Sequence, residues 1–324
     1  MEHKTNYHYN KDMKNPYPLS LDNKRYQTWN YYTVTNYGHK LYKVPIDAGF
    51  SCPNRDGTVS YGGCVFCSGG SDGFPDITSR DLYRQYEMRK PIFTKKWPDG
   101  LPLAYFQSYS NTYASLDILK EKYEPFLNDD EIIGLVISTR CDCLDDEKIE
   151  YLNSLTAEKE IWLELGLQSI HDQTLKEMNR GHDYKSFLEC IEKLSHTDLK
   201  ISVHLINGWP TETREMMLQT AQEVGKLPIN AIKFHMLHIL KHTQLGKQYE
   251  KEPFPLLTKE EYTETVARQL TLIRPDIIIE RLTGDGLANE LLAPEWTIKK
   301  ISVINDIDKY MAANDLWQGK YYSK

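Results

Sequence analysis

The chain has 324 residues, 40% hydrophobic and 26% charged, a composition that excludes a disordered tail or a fibre. Lys plus Arg number 39 against 46 Asp plus Glu, a net charge of −7 that excludes a surface built to coat nucleic acid while leaving room for a local basic patch. No run approaches ~18 consecutive apolar residues, and the opening MEHKTNYHYNKDMK lacks the apolar core of a signal peptide, so the expectation is a cytoplasmic protein with no membrane partner.

Residues 1–38, rich in Tyr, Asn and Lys with little periodicity, read as a lead-in segment with some local helix. Apolar or β-branched runs of strand length follow at 40–46, 101–106, 132–137, 161–167, 200–206, 231–237 and 276–280. Most are continuous rather than alternating, the pattern of a parallel sheet buried on both faces. Helical spacing lies between them, in Ile149, Leu152 and Leu155, in Phe187, Ile191 and Leu194, in Met217, Ala221 and Val224, and in Tyr262, Val266 and Leu270. Asp172 reads as the N-cap of a short helix that carries Leu175 and Met178 and stops at Gly181. The sum is an α/β chain of βα repeats, whose chemistry belongs at the C-terminal ends of its strands.

Six cysteines, Cys52, Cys64, Cys67, Cys141, Cys143 and Cys190, stand in a chain expected in a reducing compartment, where disulfides are disfavoured. The first three form a C-x11-C-x2-C cluster in a Gly-containing loop directly after the first strand. Glycines permit the tight turns that let thiolates converge on zinc or on an iron–sulfur cluster. A closed zinc site needs a fourth ligand, for which His39 or the Cys141/Cys143 pair are candidates, whereas a cluster on three cysteines keeps one iron open.

The loop CPNRDGTVSYGGCVFC resembles the cluster loop of YtqA/YhcC-type (Elp3-like) radical S-adenosylmethionine (SAM) proteins. The resemblance runs from Arg25-Tyr26-Gln27-Thr28-Trp29-Asn30 through the strings 105–114, Ser138-Thr139-Arg140, 164–169, 204–210 and 235–241 to Arg281-Leu282-Thr283-Gly284-Asp285-Gly286. It implies a partial (β/α)6 TIM-like barrel with N- and C-terminal extensions: the lead-in 1–38, a barrel over 39–274 with its cluster loop at 47–69, and a segment 275–324 closing the barrel mouth. It implies further that Cys52, Cys64 and Cys67 hold a [4Fe–4S] cluster whose open iron binds SAM, with Phe66 beside the adenine. One electron then cleaves SAM to methionine and a 5′-deoxyadenosyl radical, which takes hydrogen from a substrate C–H bond.

By the same resemblance, Gln107, Ser108 and Asn111 receive the SAM amino group, and Arg140, Glu164 and Gln168 complete its polar contacts. His204, Asn207 and Leu237 line ribose and adenine. Glu164 also reads as an interior carboxylate paired with Lys or Arg. His235 reads as a core or substrate-facing histidine, and His238, Arg281 and Asp285 are candidates for contact with substrate. Cys141 stands where the family is expected to carry Pro; with Cys143, and with Cys190 on the polar side of a helix pattern, it is expected to be a plain buried or half-buried thiol.

Members of the branch resemble enzymes of transfer-RNA wobble-uridine maturation. The implied reaction is radical attack on the 5-carboxymethylaminomethyl side chain of wobble (2-thio)uridine, giving the 5-aminomethyl intermediate on the route to 5-methylaminomethyl-2-thiouridine. The implied partners are tRNA, a reductase or a flavodoxin or ferredoxin as electron donor, and a downstream methylase. Two other readings stand beside it: radical chemistry on a small metabolite or peptide, and a zinc-stabilised, non-catalytic RNA-binding or scaffold protein. For RNA the sequence offers Arg80, Arg84, Arg89, Lys90, Lys95 and Lys96, which give residues 80–97 a net charge of +4, interleaved with Tyr83, Tyr86, Phe93 and Trp97. Lys299, Lys300, Lys320 and Lys324 are candidates to extend that patch. The competing reading is a solvated helix face with its own core stripe.

Overall fold

The computed structural model of the protein describes residues 15–68, 81–284 and 288–323. After helix α1 (Trp29–Tyr37) the chain alternates strand and helix. The strands β1 (Leu41–Ile46), β2 (Leu101–Phe106), β3 (Gly134–Thr139), β4 (Glu160–Gln168), β5 (Lys200–Asn207) and β6 (Ala231–Met236) pair in parallel and in chain order. Strand β7 (Ile239–Leu240) leaves this sheet to pair antiparallel with β9 (Leu291–Ala293), while β8 (Ile278–Arg281) joins it beside β6 as a seventh parallel strand. Among the described residues β1 and β8 form the two edges, so the curled sheet is an open half-barrel with a lateral gap. The expected partial barrel therefore carries one strand beyond six, supplied by the run read at 276–280.

Between strands run α2 (Leu82–Lys96), α3 (Leu116–Leu127), α4 (Asp146–Ser154), α5 (Asp172–Glu177), α6 (Tyr184–Leu194), α7 (Arg214–Val224), α8 (Gln244–Lys251) and α9 (Lys259–Leu272), followed late in the chain by α10 (Lys300–Ala313). Their starts are chemical. Asp81, Asp145, Asp183 and Thr213 each accept a backbone N–H from the first turn, and Thr258 with Glu261 closes a reciprocal capping box at α9. At α5 the cap position is His171 rather than Asp172. Asp172 accepts the Tyr184 backbone N–H at 2.8 Å instead, tying α5 to α6. Strand β3 begins at Gly134 rather than 132, because the Ile132 N–H closes a turn onto Asp129.

Strand alternation builds the barrel interior in layers. Leu41, Leu103, Val136, Trp162, Ala231 and Ile278 form an apolar floor, closed from below by Trp29, Tyr32 and Tyr37 of α1, with Trp29 edge-on to Trp162 at 5.1 Å. Two residues further along the same six strands stand Lys43, Tyr105, Ser138, Glu164, Lys233 and Glu280, joined on β5 by His204. A wholly polar storey thus rests on a wholly apolar one, on the side from which the cysteine loop leaves β1.

Candidate active site

Cys52 and Cys64 are buried and Cys67 is exposed, and none of the six cysteines forms a disulfide. Their loop is clamped by the turn after α5. Asn179, at φ +51°, donates to Gly63 O at 2.8 Å and Tyr61 O at 3.2 Å and accepts from Ser60 Oγ, while Val65 N–H donates to Met178 O. Gly181, at φ +78°, lets this turn approach: a Cβ there would stand 2.4 Å from Asn54 Oδ1. Asn54 Nδ2 and Arg180 Nη1 each lie 3.5 Å from Cys64 Sγ. Arg140 forks onto Asp142 through bonds of 2.8 and 2.6 Å. Burial opposes the charge of Arg140, but Asp142, then Cys52 and Cys64, hold its pKa above the ordinary value. Two guanidiniums therefore stand beside the buried sulfurs.

Of the zinc ligands weighed from sequence, His39 is engaged elsewhere. His39 precedes β1, ~20 Å of strand rise from the loop that follows it, and its Nδ1 is 2.8 Å from Asp99 O. Cys141 and Cys143 sit in one 3-10 turn, buried, and burial pushes both thiols up to about 12. Cys190 lies in the apolar core on α6 rather than on its polar side, because that helix turns Phe187, Cys190, Ile191 and Leu194 to the sheet together. It too is pushed up to about 12 by burial.

In the polar storey, Glu164 accepts from Lys43 Nζ at 2.7 Å, Tyr105 Oη at 2.7 Å, Ser138 Oγ at 3.2 Å and Lys233 Nζ, with His204 Nε2 3.1 Å away. Glu280 pairs with Lys43 and stands 3.6 Å from Lys233. Burial disfavours the charge of Glu164, yet Lys233 and Lys43 hold its carboxyl well below the usual range. Lys233 is lowered to about 8 by burial despite Glu164. Glu164 is thus the paired interior acid that the sequence allowed, and it also lines the cavity that begins at the cysteines, where its contact with SAM was expected.

Along this storey, with Lys43, Tyr105, Glu164, Lys233 and Glu280 in its wall, a cavity of about 820 Å³ extends from Cys52, Cys64 and Cys67 to the lateral gap, where Trp29, Lys40, Trp97 and Lys300 line it. An adjoining cavity of about 260 Å³ runs between Phe66, β5 and β6. Gln107, Gln168, His204 and Arg281 line both, Arg140 the larger, and Ser108, Leu237 and His238 the smaller. Gln168 takes φ +81° where the β4–β5 register shifts, a costly backbone state for a non-glycine. Asn111 and Asn207 are not brought to either cavity. Asn111 donates to the carbonyls of Phe106, Ser108 and Ser138, and Asn207 exchanges amide bonds of 2.7 and 2.9 Å with Gln269 of α9. Asp285 lies outside the described residues.

Residues 60–224 match the Radical SAM superfamily and residues 229–313 match the Radical SAM C-terminal domain. The chain belongs to the radical SAM superfamily. It is 42% identical over 311 residues to the uncharacterized protein YtqA of Bacillus subtilis, covering 96% of this chain and 97% of that one. It is 34% identical to protein YhcC of Escherichia coli, covering 85% and 88%. A tRNA uridine(34) acetyltransferase of Methanocaldococcus infernus is 25% identical over 57% of this chain and 34% of its own length. Among solved structures, archaeal Elp3 of Methanocaldococcus infernus matches at TM-score 0.65 and 17% identity, over 86% of this chain and 64% of that one, a likeness of fold.

Radical SAM enzymes use SAM and a [4Fe–4S] cluster, and the residues here fit that pair: three cysteines on one loop, two guanidiniums against their sulfurs, and a cavity that starts at them. Membership in an enzyme superfamily displaces the reading of a zinc-held scaffold. Lys43, Lys233, Glu280 and Arg180 are site residues that local sequence reading passed over; the signal for the first two is a lone Lys inside an apolar strand, in LYKVPI and AIKFHM. No helix among the described residues is long and apolar enough to cross a membrane.

The aromatics of α2 form a packing stripe. Tyr86 is buried, Tyr83 donates to Asp129 at 2.7 Å, Phe93 and Trp97 stack on Tyr42, and Arg89 donates to Pro45 O at 2.6 Å. Lys90 pairs with Glu131. Arg84, Lys95 and Lys96 remain exposed, while Arg80 and Lys324 lie outside the described residues. Lys40 and Lys96 both stand over the Trp97 ring, at 4.7 and 4.5 Å.

Proposed function

We propose that the protein reductively cleaves SAM at a [4Fe–4S] cluster and abstracts hydrogen from the 5-carboxymethylaminomethyl side chain of tRNA wobble (2-thio)uridine; return of one electron and a proton from the substrate radical would leave an imine, which water hydrolyses to glyoxylate and the 5-aminomethyl nucleoside on the route to 5-methylaminomethyl-2-thiouridine. The observation that carries the reading is one cavity, lined at one end by the cysteine loop and at the other by Lys40, Lys300 and the Trp97 ring. Cations gathered at a half-buried ring suit contact with RNA phosphates. The tRNA uridine(34) acetyltransferase that shares 57% of this chain supports RNA as substrate class, although this chain spans only a third of that relative.

In this reading Cys52, Cys64 and Cys67 hold the cluster, and Phe66, Gln107, Ser108, Gln168, His204 and Leu237 hold SAM. The bound pair supplies a 5′-deoxyadenosyl radical on receipt of one electron, from a reductase, flavodoxin or ferredoxin. The chain's own work is placement. Arg140 and Arg180 offset the negative charge of the sulfurs, and the polar storey under Glu164 holds β1, β4, β6 and β8 at fixed spacing. Residues 275–324 would close the barrel mouth, bringing Arg281 and Lys300 to the cavity wall. A separate methylase would then act on the product.

The test is anaerobic. Protein reconstituted with iron and sulfide is given SAM, dithionite and tRNA, and 5′-deoxyadenosine and the wobble nucleoside are both measured. Deoxyadenosine that depends on Cys64, rises with tRNA and accompanies loss of the carboxymethyl group supports the assignment. Cleavage that tRNA does not stimulate, with the nucleoside unchanged, refutes the substrate and favours a small molecule or peptide.

A further inference from the structure

Lys43, Glu164, Lys233 and Glu280 of the polar storey line the larger cavity, and none of the four lines the smaller one beside Phe66. The two lysines are held differently. Lys43 Nζ meets both carboxylates, Glu164 Oε1 at 2.7 Å and Glu280 Oε2. Lys233 Nζ reaches the same Glu164 oxygen but stands 3.6 Å from Glu280 Oε2. Glu280 Oε1 is buried and, among the described residues, accepts no hydrogen bond. Such an acceptor is costly to leave unpaired, so the cluster has a place for one more N–H donor, which a purely structural brace would not need.

Burial opposes the charge of both lysines, with opposite outcomes. Glu164 and Glu280 hold Lys43 above its ordinary value. Lys233 falls to about 8, since burial outweighs Glu164 and the neighbouring cations Lys43 and Arg281 add to the fall. At pH 7 roughly one Lys233 amine in ten is then neutral, against about one in 2,500 for an ordinary lysine. A desolvated lysine beside a second cation is the setting of a nucleophilic amine, one that forms imines at carbonyl-type carbon. Its place is fixed by Glu164 and by the Tyr105 ring, 5.3 Å away, whose hydroxyl donates to Glu164 at 2.7 Å.

We propose that Lys233 is a nucleophile that takes the glyoxylyl carbon from the substrate imine by exchange of one amine for another. The inference rests on the substrate reading above and deepens it. Neutral Nζ adds to the imine carbon, forming a C–N bond, and its two protons pass in turn to the nucleoside nitrogen. The bond from that carbon to the nucleoside nitrogen breaks as the Nζ lone pair closes a new C=N bond. The 5-aminomethyl group leaves as an amine, and Glu280 Oε1 supplies an acceptor for its N–H. Water then adds to the lysine imine, the C–N bond breaks, and glyoxylate departs with the Lys233 amine restored. No electron moves in these steps, because the oxidation is complete once the substrate imine has formed.

The reconstituted protein is incubated at pH 7 with limiting glyoxylate and cyanoborohydride, and N-carboxymethyl-lysine is located by peptide mass spectrometry. The expected result is labelling of Lys233 at least tenfold above that of the exposed Lys95 and Lys185, with Lys43 unlabelled. The label is lost in Lys233→Arg, which keeps the charge of the cluster. Because the label is mapped in the wild-type protein, this readout stands even if the variant does not fold. In a second arm, tRNA bearing the carboxymethylaminomethyl group is turned over with SAM and dithionite, and glyoxylate release is expected to fall at least tenfold in Lys233→Arg. Labelling of Lys233 while the nucleoside stays unchanged supports a carbonyl-capturing lysine and removes the wobble-uridine reading. Labelling of Lys233 no greater than that of the exposed lysines, or glyoxylate release from the variant at the wild-type rate, overturns the proposal even if the tRNA reaction proceeds.

Discussion

Lys43 Nζ on the first strand and Glu164 Oε1 on the fourth meet at 2.7 Å in the middle of the half-barrel, 121 residues apart in the chain. Lys233 on the sixth strand reaches the same oxygen, and Glu280 on the last answers both lysines. The strands of an open barrel have no closing hydrogen bonds between β1 and β8, and this buried cluster spans that missing pair from inside. Removing one member leaves its partners charged and buried, which typically costs ~3–5 kcal/mol. Glu164→Gln is therefore expected to lower the free energy of unfolding by about 3 kcal/mol or more, read from urea titration at neutral pH. A change under about 1 kcal/mol would mean that water enters and screens the cluster.

The buried imidazoles set the dependence of stability on pH. His182 is lowered to about 3 and His238 to about 4, chiefly by burial. Their folded values lie below the unfolded ~6.5, so between the two the unfolded chain binds protons that the native chain refuses. Stability is thus expected to rise with pH from 5 to 6.5, by up to ~1.4 kcal/mol per pH unit for each histidine. Glu164 and Glu280 are held below the usual range, so their contribution is complete above ~4.3 and is lost only as pH falls through the folded values. Urea midpoints measured at half-unit steps check this, and His182→Asn should flatten the slope between pH 5 and 6.5.

Much of the scaffold is legible in the sequence because a parallel sheet covered on both faces writes itself as continuous apolar runs; the run at 101–106 coincides with β2. The cysteine loop is legible because its spacing is local. The polar storey is not, since it is assembled from residues on all seven strands and no window contains two of its partners. Asn111 and Asn207 show the reverse failure. An amide just past or at the end of a strand reads the same whether it faces the cavity or a neighbouring backbone, and only its side-chain direction, here toward three carbonyls and toward Gln269, decides. In α2 the interleaved cations and aromatics read equally as a nucleic-acid face or a packing stripe. The stacking of Phe93 and Trp97 on Tyr42 assigns the rings to packing, with Trp97 retaining one side for Lys40 and Lys96.

Arg180 connects the cysteine loop to the barrel wall. Its Nη1 is 3.5 Å from Cys64 Sγ, and its Nε donates to Gly166 O at 3.1 Å on the bulged end of β4. A fixed positive charge beside a cluster ligand favours the more negative, reduced state. Arg180→Gln is expected to retain iron while moving the cluster potential more negative, on the order of 50 mV, which is about tenfold in a one-electron equilibrium. Redox titration followed by electron paramagnetic resonance measures it. Cys64→Ala, in contrast, should lose the cluster and its brown absorption altogether.

The exposed lysines at the end of α2 give a prediction that separates electrostatic docking from the chemistry. Lys95 and Lys96 close the last turn of that helix, and Lys96 lies over the Trp97 ring at the side opening of the large cavity. Each lysine that neutralises one phosphate contributes close to one unit to the slope of log affinity against log salt. With net charge −7 over the whole chain, tRNA affinity should be modest and strongly salt-dependent. The double variant Lys95→Glu/Lys96→Glu is expected to weaken tRNA binding at least tenfold at 0.1 M salt and to reduce the slope by about two. Neither residue approaches the cysteine loop, so deoxyadenosine formation without tRNA should be unchanged. Wild-type binding that ignores salt, or a variant that binds as well as the wild type, would place the RNA on another face.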